Sequence, residues 1–254
     1  MIEVAVSGAG GQMGRMVASA LELEPDIVLG HLYDPLHAGT RIGEVEISSE
    51  PSLVADAQVV VEFTHPDVVM DNLVRWRDMS VHAVIGTSGF TQERIDEARG
   101  IWTGTDANLM IVPNFAIGAV LMMRFAELAA PYFPAAEIIE LHHDKKADAP
   151  SGTAIATAHT IANANPDQVR QVDSVEIYPG ATGATVDGVR VHSVRLPGVI
   201  ANQEVIFGGP GQTLTIRHDT TDRTAFAPGV LMAVRNIASA PERVNVGLET
   251  ILNL

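Results

Sequence analysis

The chain has 254 residues, 46% of them hydrophobic, no cysteine, and a formal net charge of −15 from 16 basic and 31 acidic side chains. That much apolar material supports one large or two small domains; the lack of cysteine excludes disulfides, thiolate metal sites and cysteine nucleophiles; the negative balance opposes binding to nucleic acid or to an anionic membrane surface. No apolar run approaches a membrane span, and Met1-Ile2-Glu3-Val4-Ala5-Val6 lacks the basic segment and cleavage site of a signal peptide, so a soluble, cytoplasmic protein is expected.

Residues 2–7 read as a strand and residues 15–21 as a helix, with Gly8-Ala9-Gly10-Gly11-Gln12-Met13-Gly14 between them. Strand, glycine turn and helix make the first unit of a dinucleotide fold. Gly8 permits the tight turn, and Gly10 lets the backbone approach a pyrophosphate lying on the helix N-terminus. The match to G-x-G-x-x-G is imperfect, because the last glycine falls one place late at Gly14; a glycine turn alone can serve merely to pack helix on strand. The second strand, 27–33, ends in Asp34, where an acid meets ribose hydroxyls. Pro35 and Leu36 follow, with no adjacent arginine to hold a 2′-phosphate. That favours NADH over NADPH, although Arg15 or Arg41 could still reach one. Strands beginning at 59, 83 and 109 lead into Phe63-Thr64-His65-Pro66, Gly86-Thr87-Ser88-Gly89 and Pro113-Asn114-Phe115, with helices over 67–79 and about 91–102. Their near-continuous apolar character suits parallel strands covered on both faces, and their polar ends lie where ligands bind in an open α/β sheet.

The pattern then changes. Residues 117–133 read as one long apolar helix, with Leu121, Met122, Phe125, Leu128 and Ala129 in the core. The strand 138–141 follows, and the chain continues Glu140-Leu141-His142-His143-Asp144-Lys145-Lys146-Ala147-Asp148-Ala149-Pro150-Ser151-Gly152-Thr153-Ala154. Lys145 and Lys146 are the only lysines; every other basic residue outside the histidines is arginine. Arginine does not release a proton in a protein, whereas lysine and histidine can be tuned to do so. His142 and His143 should leave the strand on opposite sides. Ser151 is the expected N-cap of a helix over 153–164, and the N–H groups of Gly152 and Thr153 would form an anion site. Proton donors facing an anion cradle suggest acid-assisted chemistry on a carboxylate substrate; the competing reading is a solvated loop before an ordinary helix. From residue 174 the pattern is β, with strands at 175–178, 189–196, 204–207 and 214–218, and a helix over 225–237 returns to the first domain together with the 244–254 tail. The expected fold class is α/β: a Rossmann-like, doubly wound parallel sheet (1–113 plus 226–254) with an inserted α+β domain on an open mixed sheet (114–225).

A metal hydrolase built on His142, His143, Asp144, His218 and Asp219 is opposed by spacing, since adjacent strand residues face opposite ways and no His-Glu-x-x-His pattern occurs. No metal is expected. A binding protein of the same fold without turnover is the other alternative. His31, His37, His65, His82 and His159 are scattered and read as surface or satisfied core groups. Arg195, Arg217 and Arg223 could add positive field or be ordinary ion pairs.

The stretch Glu140-x-His142-His143-x-x-Lys146-x-Asp148-Ala149-Pro150-Ser151-Gly152-Thr153-Ala154, with the Gly8–Gly14 loop, Phe63-Thr64, the turn at 86–90, Asn114-Phe115 and Arg195-Leu196-Pro197-Gly198, resembles the dihydrodipicolinate (4-hydroxy-tetrahydrodipicolinate) reductases over essentially the whole chain, in a form like the actinobacterial branch. The resemblance implies NADH- or NADPH-dependent reduction of a small dicarboxylate in diaminopimelate and lysine biosynthesis. It implies His142 as general acid/base, Lys146 as proton donor, His143, Gly152 and Thr153 on substrate, and a homotetramer assembled through the second sheet. It also implies a cofactor lined by Gly8, Ala9, Gly10, Gly11, Gln12, Met13, Asp34, Gly86, Thr87, Ser88, Val112, Pro113, Asn114 and Phe115. Two departures stand out. The family's usual Asp-Phe-Thr is Glu62-Phe63-Thr64 here, and a usual histidine near position 203 is Gln203, to which no substrate role is carried.

Overall fold

The computed structural model describes residues 1–166 and 175–252. Two compact units are present, Met1–Phe115 with Phe226–Leu254, and Ala116–Ala225.

In the first unit, β1 (Ile2–Ser7), α1 (Gln12–Glu22) and β2 (Ile27–Tyr33) come first, followed by a small hairpin of β3 (Arg41–Ile42) and β4 (Val45–Ser48). Then β5 (Val59–Glu62), α2 (Val69–Asp78), β6 (His82–Ile85), α3 (Gln92–Ile101) and β7 (Leu109–Ile111) alternate. After the second unit the chain returns as α6 (Ala227–Asn236), β13 (Val244–Val246) and α7 (Glu249–Leu252). The strand order is β13-β7-β6-β5-β1-β2-β4-β3, all pairs parallel except β3–β4. Chain order reverses at β1, whose neighbours are β2 and β5, so the crevice beyond its C-terminal end is the usual ligand position. Every residue of β5 and β7 is buried, as expected of strands covered on both faces. On α2, Val69, Leu73 and Trp76 recur at helical spacing and pack with Trp102, Ile85 and Leu109. Thr91 caps α3 by accepting from the Arg94 N–H.

In the second unit, α4 (Ile117–Ala129) precedes β8 (Ala135–His142), α5 (Gly152–Ala164), β9 (Ala184–Val186), β10 (Val189–Arg195), β11 (Ala201–Gly209) and β12 (Gln212–Thr220). These strands form a mixed sheet ordered β12-β11-β8-β10-β9, in which only β8–β10 is parallel. Met122 and Ala126 of α4 and Ala154, Ala158 and Ile161 of α5 cover one sheet face, against Ile138, Val191, Val205 and Phe207.

Three expectations are corrected. The apolar helix ends at Ala129, and Ala130–Tyr132 is a 3-10 turn, because Pro131 has no N–H to continue the ladder. Phe125 and Leu128 are about half exposed rather than core (48% and 55%), since the face that α4 turns inward is the one bearing Met122 and Ala126. Residues 175–178 are not a strand: Val175, Ile177 and Tyr178 are exposed, and the segment is held by Glu176, whose carboxylate accepts from the N–H groups of Gly180 and Thr182. β-Propensity reflects fit to a half-buried sheet, and no strand among the described residues pairs with this segment. Residue 174 of that expectation, and 253–254 of the tail, lie outside the described residues.

Two glycines test the packing in opposite directions. A Cβ on Gly229 of α6 would lie 2.1 Å from the carbonyl oxygen of Phe115, whereas one on Gly100 of α3 meets nothing within 4 Å. Gly229→Ala should lower stability by about 1–3 kcal/mol and Gly100→Ala raise it by up to about 1 kcal/mol. Urea denaturation of both variants checks this; equal effects of the same sign would contradict the helix packing described.

Candidate active-site elements on the two units

On the first unit the glycine loop is held from below. The N–H groups of Gly8 and Ala9 donate to the Tyr33 carbonyl at 2.8 and 3.3 Å, and Gly11 N–H donates to Gly8 O at 3.1 Å. Gly8 has φ +76°, a conformation other residues adopt only with strain. A Cβ there would lie 2.2 Å from Phe63 O, and one on Gly14 would lie 2.1 Å from Gly8 O. The late glycine therefore serves close contact between helix and loop. Gly11 precedes Gln12 at the start of α1 with no side-chain cap and no acid in the first turn, leaving the positive helix end suited to an anion.

Asp34 is buried and accepts from Gly10 N–H at 2.9 Å and Leu36 N–H at 3.0 Å. Its Oδ2 also lies 3.0 Å from Nδ1 of His37, whose ring fills the space a Gly10 side chain would need. His37 is thus part of this corner, which its sequence position did not signal. Arg15 donates to Gly10 O at 3.0 Å, and Arg41 pairs with Glu46. A cavity of about 340 Å³ opens beside the loop, lined by Met13, Gly86, Thr87, Ser88, Val112, Pro113, Asn114 and Phe115 of the expected set, and by Phe63, Thr64 and Phe226. Gly86 permits the rings of Phe63 and Phe115 to meet, 5.5 Å apart, since a Cβ would lie 2.1 Å from Phe63 Cε1.

On the second unit, β8 delivers Glu140 and His142 to the same sheet face, the period-two consequence of their spacing. Register then sets Arg195 of β10 opposite His142 and Ser193 opposite Glu140, with Gln203 of β11 on the other flank. Glu140 has no exposed surface. Its oxygens accept from both terminal nitrogens of Arg195, at 2.9 and 2.8 Å, and from Ser151 N–H at 3.2 Å, and His142 Nδ1 bonds the same carboxylate. Burial would raise the Glu140 pKa; hydrogen bonds from His142, Arg195 and Ser193 outweigh it and lower the value to about 2. Arg195 also donates to the carbonyl of Asp148 at 2.6 Å. Lys146 donates to both carboxylate oxygens of Asp148, at 2.8 and 2.9 Å, and this ammonium holds the Asp148 pKa below its usual range. Ser151 caps α5 by accepting from Ala154 N–H at 3.2 Å, which places Gly152 and Thr153 at the helix start. Gln203 instead donates to Thr157 Oγ1 at 2.8 Å beneath the helix.

Lys146, His142, Gly152 and Thr153 thus belong to one hydrogen-bonded neighbourhood, organised by two residues absent from the expected set. Glu140 had a signal, an acid two places before a histidine on a strand. Arg195 depends on strand register, which local sequence does not contain. Arg217 pairs with Glu204 and Asp219, an ordinary surface arrangement.

Two family models match. One, described as dihydrodipicolinate reductase, N-terminus, covers residues 2–115, and one described as dihydrodipicolinate reductase, C-terminus, covers residues 118–252. The 4-hydroxy-tetrahydrodipicolinate reductase of Mycolicibacterium vanbaalenii is 48% identical over 255 residues, and that of Thermobifida fusca 49% identical over 260 residues; in both, all of each chain is covered. The solved structure of dipicolinate-bound dihydrodipicolinate reductase from Paenisporosarcina sp. TG-14 superposes with a TM-score of 0.87 at 38% identity, covering 99% of each chain.

The depressed Glu140 pKa carries a stability prediction. Between pH 4.5 and about 2 the unfolded chain binds a proton that the folded chain does not. The resulting stability is complete above the unfolded value and lost as pH falls through the folded one. Glu140→Gln should flatten the acid limb of stability against pH. Arg195→Met, which strands a buried carboxylate, should cost about 3–5 kcal/mol near neutral pH. Urea titrations from about pH 3 to 7 read both; an acid limb unchanged in Glu140→Gln would rule the linkage out.

Proposed function

The chain belongs to the dihydrodipicolinate reductase family, and from that membership we propose how its two units divide the reaction. The activity is NAD(P)H-dependent reduction of 4-hydroxy-tetrahydrodipicolinate, in diaminopimelate and lysine biosynthesis. The first unit, 1–113 with 226–254, holds the dinucleotide. The second, 114–225, holds the substrate and carries the contacts of a homotetramer. One observation carries this division: a histidine fixed by a buried carboxylate–guanidinium pair, in the same network as Lys146 and a capped helix start, within a chain of net charge −15.

The first unit fits a dinucleotide because Gly10 and Gly11 put no side chain between the loop and the start of α1. The N–H groups of Gln12 and Met13 at the uncapped start of α1 would take the pyrophosphate, and Asp34 the ribose hydroxyls after exchanging its contact with His37. The cavity bounded by residues 86–88 and 112–115 would take the nicotinamide end. Asp34 disfavours a 2′-phosphate, and the arginines near it are engaged elsewhere, which supports NADH over NADPH. When bound, the reduced nicotinamide supplies a hydride.

The chain's own residues supply the rest. The substrate is a dianion; the start of α5 at Gly152 and Thr153 receives one carboxylate, and His143 contacts the ring. Loss of the 4-hydroxyl with a proton from the adjacent carbon, as water, gives a conjugated imine; hydride addition to that imine leaves electron density at the neighbouring carbon, which must be protonated. Lys146, released from Asp148, donates that proton. His142 is the general acid/base, its Nδ1 committed to Glu140 and its Nε2 left for proton exchange. The homotetramer is supported by Ile139, Leu141, Val194 and Ile206, half-buried residues that alternate with the core-facing ones and so lie on the face away from α4 and α5. No helix of the described residues is long and apolar enough to cross a membrane, and the proposed location is the cytoplasm.

Two measurements test this reading. NADH oxidation should follow when aspartate semialdehyde and pyruvate are condensed by the upstream synthase, and His142→Ala and Lys146→Ala should each lower kcat by about 10²–10⁴-fold while NADH binding stays near wild type. Near-full kcat in either variant would remove that residue from the chemistry. In the second, kcat/KM with NADH should exceed that with NADPH; an advantage of about tenfold for NADPH would overturn the cofactor preference.

A further inference from the structure

The end of β5 carries a carboxylate that this reaction does not use. Glu62 has no exposed surface, and its oxygens accept from Asn72 Nδ2 at 2.9 Å, Trp76 Nε1 at 2.9 Å and the Thr64 hydroxyl. Every one of these donors is neutral. The neighbouring Arg75 donates instead to Asn72 Oδ1 at 3.2 Å. Burying an acid among neutral donors is unfavourable compared with leaving it in water, so its place in the fold is informative. Thr64 N–H donates to Thr87 Oγ1 at 2.9 Å, and the Glu62 carbonyl accepts from Gly86 N–H at 2.9 Å and Thr87 Oγ1 at 3.4 Å. Thr64 and Thr87 both line the 340 Å³ cavity. The methyl of Thr64 and the carbonyl of Phe63 are also the atoms that a Cβ on Gly8 would strike, at 3.1 and 2.2 Å.

We propose that Glu62 is a positioning residue for the dinucleotide site. A group whose partners all donate is an obligate acceptor, so Glu62 draws the Thr64 hydroxyl hydrogen inward and fixes that side chain in one rotamer. The Thr64 methyl is thereby held toward the glycine loop and its N–H toward Thr87. Asn72 and Trp76 tie the carboxylate to α2, so the cavity wall is set by a helix that itself takes no part in the lining. The inference rests on the reading of the first unit as the dinucleotide site.

The test is a double-substitution cycle read by direct NADH binding, followed by fluorescence, alongside dipicolinate binding and thermal melting. Glu62→Gln keeps the shape but reverses one hydrogen-bond direction; Thr64→Val keeps the shape and removes the hydroxyl. Each should weaken NADH binding about 5–10-fold, and the double variant no more than either alone, since coupled residues are non-additive. Dipicolinate binding should not change. NADH affinity within about twofold of wild type in either single variant, or additive losses in the double, would overturn the proposal even if melting temperatures fell. Should Glu62→Gln not fold, Thr64→Val decides the matter alone. A wild-type chain that bound no NADH would overturn the proposed function together with this inference, which separates the two failures.

Discussion

The second unit is organised around one buried carboxylate. Glu140 joins a central strand to the neighbouring strand through Arg195 and to the start of α5 through the Ser151 N–H, and it sets the orientation of His142. A buried ion pair of this kind is weak evidence of stabilisation, because desolvation offsets much of the Coulombic gain. Its effect on arrangement is stronger. A slip of one residue in the pairing of β8 with β10 would turn Arg195 to the opposite face and leave Glu140 without its guanidinium, in addition to exposing the apolar residues of the strand. The same contacts that specify strand register thus specify where the imidazole points.

The two buried glutamates illustrate different solutions to one electrostatic problem. Glu140 is balanced by the guanidinium of Arg195, so its neighbourhood is not left with an uncompensated negative charge. Glu62 is held by an amide, an indole and a hydroxyl, and no counter-charge among the described residues is directed at it. A chain of net charge −15 can still take an anion because charges more than about 8 Å away are largely screened at physiological salt. For the site proposed above, what matters is the local set: Arg195, Lys146 and the helix start, joined through Glu140 and Asp148.

The first unit was legible in the sequence wherever the chain's own backbone imposes the constraint. A positive φ at Gly8 and backbone contacts at Gly14 admit only glycine, so those residues announce themselves. Asp34 follows from the length of a strand–helix–strand repeat. Ser151 and the helix it caps could be read for the same reason, since capping is a contact over three residues. Long-range partners could not be read. That Arg195 meets Glu140 depends on parallel pairing across more than fifty residues, and that His37 packs on Gly10 depends on a loop path. Residues 175–178 and the outer face of α4 misled for the complementary reason: Val175, Ile177, Phe125 and Leu128 have the residue types of strand and core, but burial is decided by neighbours that a local pattern does not name.

The contrast between the two acid–base pairs of the site bears on how it can work. The Glu140–Arg195 pair is buried, bidentate and joined to backbone groups, so breaking it would leave an uncompensated charge; it is a fixed part. The Lys146–Asp148 pair joins residues two apart, with the Asp148 side chain 61% exposed. Exposed pairs are worth only about 0–1 kcal/mol; here the carboxylate is the exposed member while the lysine side chain is 23% exposed, and in the proposed role a substrate carboxylate takes the place of Asp148. An arginine at position 146 would grip the aspartate through a planar fork and would keep its protons. Lysine is a point charge on a flexible stem, able to change partners and then to give up a hydrogen ion. The only two lysines in the chain fall in this loop, so a guanidinium holds the frame while, in the role proposed for Lys146, an ammonium is left to exchange.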